Sequence, residues 1–133
     1  MFEKLKKLLD NSYSPYSNFR VGAILVTKDG KEFSGVNVEN ASYGAGICAE
    51  RSAIVSSISA GYKKNDFEKL YLIVDSEKIS YPCNLCRQVF VEFFNNNMEI
   101  VCFNINGESN TVLVKDLCTY SFNSEDLKWK VDL

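Results

Sequence analysis

Two short stretches of this chain place chemically active residue types at a usable spacing: Cys48-Ala49-Glu50 and Pro82-Cys83-Asn84-Leu85-Cys86. Each stands where a loop gives way to a helical pattern. A helix N-terminus stabilises a thiolate through its macrodipole and its unpaired N–H groups. Cys83 and Cys86, three apart across one first turn, can converge on a single ion, and Cys48 can reach the same ion from the other helix. Three thiolates around zinc leave one tetrahedral position for solvent, the arrangement of a catalytic rather than a structural site. Glu50 is the carboxylate placed to take a proton from that solvent and hand it on.

This reading carries two conditions. Residues two apart on a regular helix point roughly 200° apart at ~3.6 residues per turn. Cys48 and Glu50 can therefore face one pocket only if Cys48 is a capping or loop residue. The second condition is electrostatic, because three thiolates outweigh one divalent ion and something positive must drain charge from the sulfurs. Arg51 and Arg87, two of only three arginines, follow Glu50 and Cys86 directly and are the candidates for that charge compensation.

Other uses of the same residues stay open at this level. Cys-x-x-Cys also occurs as a redox pair. Cys102 or Cys118 could supply a fourth sulfur to a structural zinc module that binds a protein partner. Cys102 lies between Val101 and Phe103, where a thiol is usually a small buried hydrophobe. The two arginines could equally be surface ion-pair residues.

The elements that must position these groups follow from periodicity. Phe2, Leu5, Leu8 and Leu9 lie at helical spacing opposite Lys4, Lys6 and Lys7, which predicts an amphipathic helix over residues 2–11. Residues 21–27 read as a buried strand, Asp29-Gly30 as a hairpin turn and residues 31–38 as the return strand. A helix is expected from Cys48 to Ala60, stopped by Gly61. Residues 70–74 read as a strand, 85–95 as a helix, 99–105 and 111–117 as two more strands, and 124–133 as a short terminal helix. The order α-β-β-α-β-α-β-β, without a repeat or linker, predicts one α/β domain over residues 1–133, a mixed sheet with helices on its faces.

Composition narrows the function. The 133 residues contain no histidine, which excludes Ser-His-Asp and Cys-His hydrolases and every His-ligated zinc site. Fifteen basic and 17 acidic residues give a net charge of -2, whereas a protein that lives on nucleic-acid backbone normally shows a basic excess. No apolar run approaches the ~18–20 residues of a membrane span, and the first residues alternate apolar and charged types, unlike a signal peptide. A cytoplasmic location is expected. Five cysteines, an odd number, then read as metal-binding, catalytic or buried thiols rather than disulfides.

Cys-x-Glu followed by Pro-Cys-x-x-Cys is the zinc deaminase signature in its all-cysteine form. Around it, Ser17-Asn18-Phe19-Arg20-Val21-Gly22-Ala23, Gly35-Val36-Asn37-Val38-Glu39-Asn40-Ala41-Ser42-Tyr43-Gly44, Ile47-Cys48-Ala49-Glu50-Arg51-Ser52-Ala53 and Pro82-Cys83-Asn84-Leu85-Cys86-Arg87-Gln88-Val89 resemble the small homotetrameric cytidine deaminases over nearly the whole length. The resemblance implies a three-layer α/β/α sandwich with a five-stranded mixed sheet, and one zinc ion per subunit on Cys48, Cys83 and Cys86. It implies Glu50 as the proton shuttle, Phe19 as a ring against the pyrimidine, and Asn37 and Glu39 as partners of the ribose hydroxyls. The Ala49 N–H is implied as a donor to the base O2.

Tyr43 and Phe122 are implied as aromatics that reach neighbouring subunits' pockets, although Phe122 by itself reads as local packing. Without the resemblance, Asn37-Val38-Glu39 reads as the edge of a hairpin strand with Val38 turned inward. Two departures from the family pattern stand out: Asn84-Leu85 where a glycine commonly comes first, and Cys118-Thr119 where Leu-Pro is common. The expected function is hydrolytic deamination of cytidine and deoxycytidine in pyrimidine salvage. A deaminase of a cytosine-containing antibiotic nucleoside is the enzymatic alternative.

Overall fold

Helix α1 (Phe2–Leu8) runs from Glu3 in its first turn to Lys6 and Lys7 in its last, charges that complement the helix dipole. The computed structural model describes residues 1–130. The expected helix over 2–11 is α-helical only as far as Leu8 and closes as a 3-10 turn, Leu9–Asn11. Strands β1 (Val21–Thr27) and β2 (Glu32–Val36) form the expected hairpin, with Gly30 supplying φ +89° at the turn. Helix α2 (Ala49–Ser59), strand β3 (Phe67–Val74), helix α3 (Asn84–Phe93) and strands β4 (Glu99–Phe103) and β5 (Ser109–Leu113) follow in the expected order.

The five strands form one sheet in the order β2-β1-β3-β4-β5. Only β3 and β4 are parallel; every other neighbouring pair is antiparallel. Alternate residues of the strands go to opposite faces. Ala23, Leu25, Leu70, Leu72, Ile100 and Cys102 pack with Ala53 and Ile54 of α2 and Phe90 of α3. Ile24 and Ile73 turn the other way and pack with Leu5 and Leu9. Helices therefore cover both faces, and the sandwich is the three-layer one expected. No helix among the described residues is long and apolar enough to cross a membrane.

Several boundaries differ by a few residues, β2, α3 and β4 among them, and three further differences have identifiable reasons. The expected strand over 111–117 pairs instead over Ser109–Leu113, and Val114–Leu117 is a short helix, α4. The Val114 and Lys115 N–H groups donate to the Met98 and Asn96 carbonyls, so the ladder cannot continue, and Val114 and Leu117 stand at helical rather than strand spacing. β3 begins three residues early because Phe67 pairs with Thr27 past an irregularity at Val26, and the polar Glu68-Lys69 hides this start. The terminal helix is a 3-10 segment, Ser124–Lys130, and the rest of that expectation lies outside the described residues.

Candidate active site

The cage of sulfurs is assembled by two helix starts. Cys48 is the N-cap of α2 with extended backbone (φ -77°, ψ 155°), so the geometric condition for Cys48 and Glu50 to share a pocket is met. Cys83 caps α3 in the same way (φ -69°, ψ 167°), and Cys86 lies in the first turn of α3. Neither cap residue makes a side-chain capping bond; both thiols turn to the cage instead. Cys48 Sγ stands 3.7 Å from Cys83 Sγ, and Cys83 Sγ 3.6 Å from Cys86 Sγ. All three lie within 4.8 Å of one another. Zinc–sulfur bonds of ~2.3 Å in a tetrahedron require sulfurs about 3.8 Å apart, which the two edges through Cys83 match.

The four-sulfur alternative does not survive this geometry. Among the described residues, the three cysteines form the only cluster that could hold a metal. Cys102 is buried in β4, where burial pushes its thiol up to about 12. The Cys118 thiol donates to the Arg87 carbonyl at 3.5 Å.

The cage sits in a cleft of about 440 Å³ whose lining includes Phe19, Asn37, Glu39, Ala49, Glu50, Arg51 and Tyr81. Glu50 is only 4% exposed. Burial pushes its carboxyl up to about 7 against its own backbone N–H, and the neighbouring Cys48 sulfur adds to the rise. A hydrogen bond from the Cys86 thiol pulls Cys48 down to about 5 despite burial, with help from Arg51. The same bond, and then burial, hold the Cys86 thiol well above its ordinary range. A divalent ion deprotonates coordinating thiols outright.

The two arginines separate. Arg51 points a guanidinium nitrogen at Cys48 Sγ, 3.6 Å away, while its buried Nε finds no acceptor. A buried donor without a partner is costly, and the attraction of the cation to the sulfurs is what offsets it. Arg87 departs from the expectation of charge compensation. Its Nε donates to the Pro82 carbonyl at 2.7 Å and another nitrogen to the Leu117 carbonyl at 3.1 Å. Its guanidinium clamps the loop before Cys83 onto α4 and makes no bond to a cage sulfur.

At the far end of the cleft, β2 stops at Val36, and Asn37-Val38-Glu39 is not a simple strand edge. Val38 is 42% exposed rather than turned inward. Its backbone is bridged by Tyr13 on one side and Ile47 on the other. The side chains on either side of it hold the loop that crosses the cleft mouth. Asn37 Nδ2 donates to the Phe19 carbonyl at 2.7 Å, and its Oδ1 accepts from the Val21 N–H at 2.9 Å and from the Ser12 hydroxyl. Glu39 Oε1 accepts the Tyr16 and Ser17 N–H groups at 3.0 and 3.1 Å, and Oε2 accepts the Ser17 hydroxyl. These bonds hold the Glu39 carboxyl below its ordinary value, the Ser17 hydroxyl contributing most.

Phe19 and Tyr43 line the cleft, and Tyr43 is 82% exposed. Ala49 opens α2, where the first N–H groups have no intrahelical acceptor. Phe122 is exposed and does not line the cleft of its own chain; its carbonyl accepts a bond from Gln88 at 2.8 Å. Residue chemistry alone misses Gly35, Ser12, Ser17 and Arg20. Gly35 lets β2 touch the first turn of α2, since a Cβ there would stand 2.4 Å from the Ala49 carbonyl oxygen. Arg20 pairs with Asp75 at 2.7 Å and so ties together the strand ends that carry Val21 and Val74 into the cleft wall.

A chain from Sporosarcina psychrophila described as cytidine deaminase is 37% identical over 127 residues, covering 96% of this chain and 92% of that one. A probable cytidine deaminase from Dictyostelium discoideum is 41% identical, covering 98% and 91%. The crystal structure of cytidine deaminase from Burkholderia pseudomallei superposes with a TM-score of 0.87 at 42% identity, over 91% of this chain and 95% of that one. The profile of the cytidine and deoxycytidylate deaminase zinc-binding region matches residues 1–103, a span that contains β1, α2, α3 and all three cage cysteines. A sulfur cage sized for zinc and relatives matched almost end to end lead to one conclusion: the chain belongs to the cytidine and deoxycytidylate deaminase family.

Proposed function

We propose that this chain catalyses the hydrolytic deamination of cytidine and 2′-deoxycytidine, giving uridine or 2′-deoxyuridine and ammonia, as a step of pyrimidine salvage. The observation that carries this reading is the three-sulfur cage opening into the same cleft as the buried Glu50. Cys48, Cys83 and Cys86 would hold zinc, which when bound acts as a Lewis acid that makes water nucleophilic at neutral pH. Glu50 takes a proton from the attacking water and passes it to N3 of the cytosine, which makes C4 electrophilic. It then moves the remaining hydroxyl proton to the amine, which leaves as ammonia. A carboxyl poised near neutrality suits a group that must both accept and donate. Arg51 offsets the charge of the sulfurs, the Ala49 N–H donates to O2, and the Phe19 ring covers the base.

Counting donors and acceptors supports a nucleoside with one sugar hydroxyl read directly. A carboxylate offers about four acceptor sites and a primary amide two donors and two acceptor sites. Glu39 has three of its sites taken by Tyr16 and Ser17, and Asn37 has both acceptor sites and one donor taken by Ser12, Phe19 and Val21. One acceptor and one donor remain, which is what a single hydroxyl needs. Cytidine and deoxycytidine should then be accepted alike. A 5′-phosphate is disfavoured, because among the described residues the only basic one lining the cleft is Arg51, already directed at Cys48.

We further propose a single domain working in the cytoplasm as a homotetramer. Tyr13, Tyr16, Tyr43, Tyr81 and Phe122 are all exposed, the Tyr16 and Tyr43 rings stand edge to face 6.1 Å apart, and exposed aromatic patches mark contact sites. In that assembly Tyr43 and Phe122 would complete neighbouring clefts. The test is to follow pyrimidine absorbance of cytidine, deoxycytidine, deoxycytidine 5′-phosphate and free cytosine with purified protein, before and after chelation and zinc restoration. Loss of both nucleosides, abolished by the chelator and restored by zinc, is expected. Absence of nucleoside turnover by zinc-loaded protein would overturn the reading.

A further inference from the structure

The loop over the cleft mouth is organised by one hydroxyl. Asn18 adopts a left-handed backbone (φ +57°), which reverses the chain between Ser17 and Phe19. Its N–H donates to the Ser14 carbonyl at 2.9 Å. Across this reversal the Phe19 N–H donates to Ser17 Oγ at 3.0 Å, and the Ser17 hydroxyl donates to Glu39 Oε2. The proton's place is unambiguous, since an amide can only donate to that oxygen and an ionised carboxylate can only accept from it. We propose that Ser17 is a positioning residue for the reaction, one hydroxyl that fixes both the sugar-side carboxylate of Glu39 and the backbone that aims Phe19 at the base. This inference rests on the nucleoside reading given above.

The connection matters because each end loosens separately without it. Glu39 Oε1 stays anchored by the Tyr16 and Ser17 N–H groups, so an alanine at position 17 leaves the carboxylate tethered through one oxygen and able to rotate. Phe19 keeps its carbonyl bond to Asn37 but loses the bond on its N–H side, and the strained turn at Asn18 loses its brace. The groups released are exposed and can be satisfied by water, so the fold survives while the cleft geometry relaxes. The consequence falls on substrate binding rather than on the proton transfers at Glu50.

The experiment compares zinc-loaded wild type, Ser17→Ala and Ser17→Thr on cytidine and on 2′,3′-dideoxycytidine, with uridine affinity measured at equilibrium. Ser17→Ala is expected to raise the cytidine KM and the uridine Kd about tenfold, the effect of one hydrogen bond to a charged group, with kcat changed less than about threefold. Ser17→Thr keeps the hydroxyl and is expected within about twofold of wild type. On 2′,3′-dideoxycytidine, which lacks the hydroxyl that Glu39 would hold, the loss is expected to shrink to less than about threefold. The inference is overturned if the Ser17→Ala KM and Kd stay within about twofold of wild type, if Ser17→Thr is as impaired as alanine, or if both substrates lose equally. Failure of the wild type to deaminate cytidine would instead remove the nucleoside reading, so the two failures are distinguishable.

Discussion

Gly35→Ala should damage the metal cage without touching any residue in it. A Cβ at this position of β2 would stand 2.4 Å from the Ala49 carbonyl oxygen, 2.6 Å from the Ala53 nitrogen and 2.9 Å from the Ser52 Cβ. Two of these three neighbours are backbone atoms of α2, so no rotamer change can relieve them. Reaching even a tight contact of 3.0–3.4 Å requires the first turns of α2 to retreat by roughly 0.6–1 Å, and ordinary contact at 3.4–4 Å requires more. That motion also stretches the bond from the Ser52 hydroxyl to the Val36 carbonyl, now 3.2 Å. Overpacking of this kind costs about 1–3 kcal/mol, which for a domain of this size lowers the melting temperature on the order of 5–15 °C. The larger effect is positional, because α2 carries Cys48 at its cap and Glu50 and Arg51 in its first turn. A misplacement of about 1 Å can reduce turnover ~10²-fold. The assay is thermal melting of metal-loaded protein, zinc stoichiometry and steady-state kinetics on one preparation. A variant that melts within about 1 °C of wild type and keeps its kcat/KM would refute the argument that β2 sets the position of α2.

Glu50→Gln keeps the shape of the side chain and removes its proton chemistry; kcat should fall by at least ~10²–10⁴-fold with zinc content unchanged, and more than a few per cent of residual turnover would exclude the shuttle role. Glu39 gives a pH prediction. Its carboxyl is held below the ordinary value of 4.5 by the Ser17 hydroxyl and the Ser17 and Tyr16 N–H groups. A depressed carboxyl contributes its ordering above the unfolded value and loses it as pH falls through the folded one. The amide resonances of Tyr16 and Ser17 should therefore titrate together at a midpoint below 4.5, and a midpoint at or above that value would show that the bonds do not form in solution.

Much of this site is legible from residue types alone, because metal chemistry restricts them severely. Three cysteines at helix starts and a carboxylate two residues from one of them demand that Cys48 be extended, and it is. The elements are legible for a similar reason: Val21–Thr27 and the apolar end of β3 alternate or run apolar as buried strands do. What is not legible depends on contacts between distant segments. Arg51 and Arg87 each follow a site residue directly and cannot be told apart in sequence. Only the fold turns Arg51 toward Cys48 and sets Arg87 between the Pro82 and Leu117 carbonyls. Gly35 looks like any strand glycine until α2 is laid against it. The Asn37 and Glu39 side chains are read from resemblance as substrate contacts, yet most of their bonds hold residues 12–21, which no local spacing reveals.

The cap positions link the stability of this protein to its metal. Ser, Thr, Asp or Asn at an N-cap satisfies a backbone N–H of the first turn and is worth typically ~1 kcal/mol over a residue that cannot. Both α2 and α3 place a cysteine there, and neither makes a capping bond. The helices that carry the cage are thus under-capped when it is empty, and the deficit is made good only by thiolates held on an ion at the positive ends of both dipoles. Cys83→Ser exposes this trade, because serine supplies the cap oxygen but is a poor zinc ligand. With chelator present the variant should melt a few degrees above wild type, as expected for a gain of about 0.5–1 kcal/mol. With zinc in excess the order should reverse, since only wild type gains the full binding energy of the ion. A variant less stable than wild type under both conditions would mean that the Cys83 thiol already serves as an adequate cap, and that the metal contributes to these helices only through its charge.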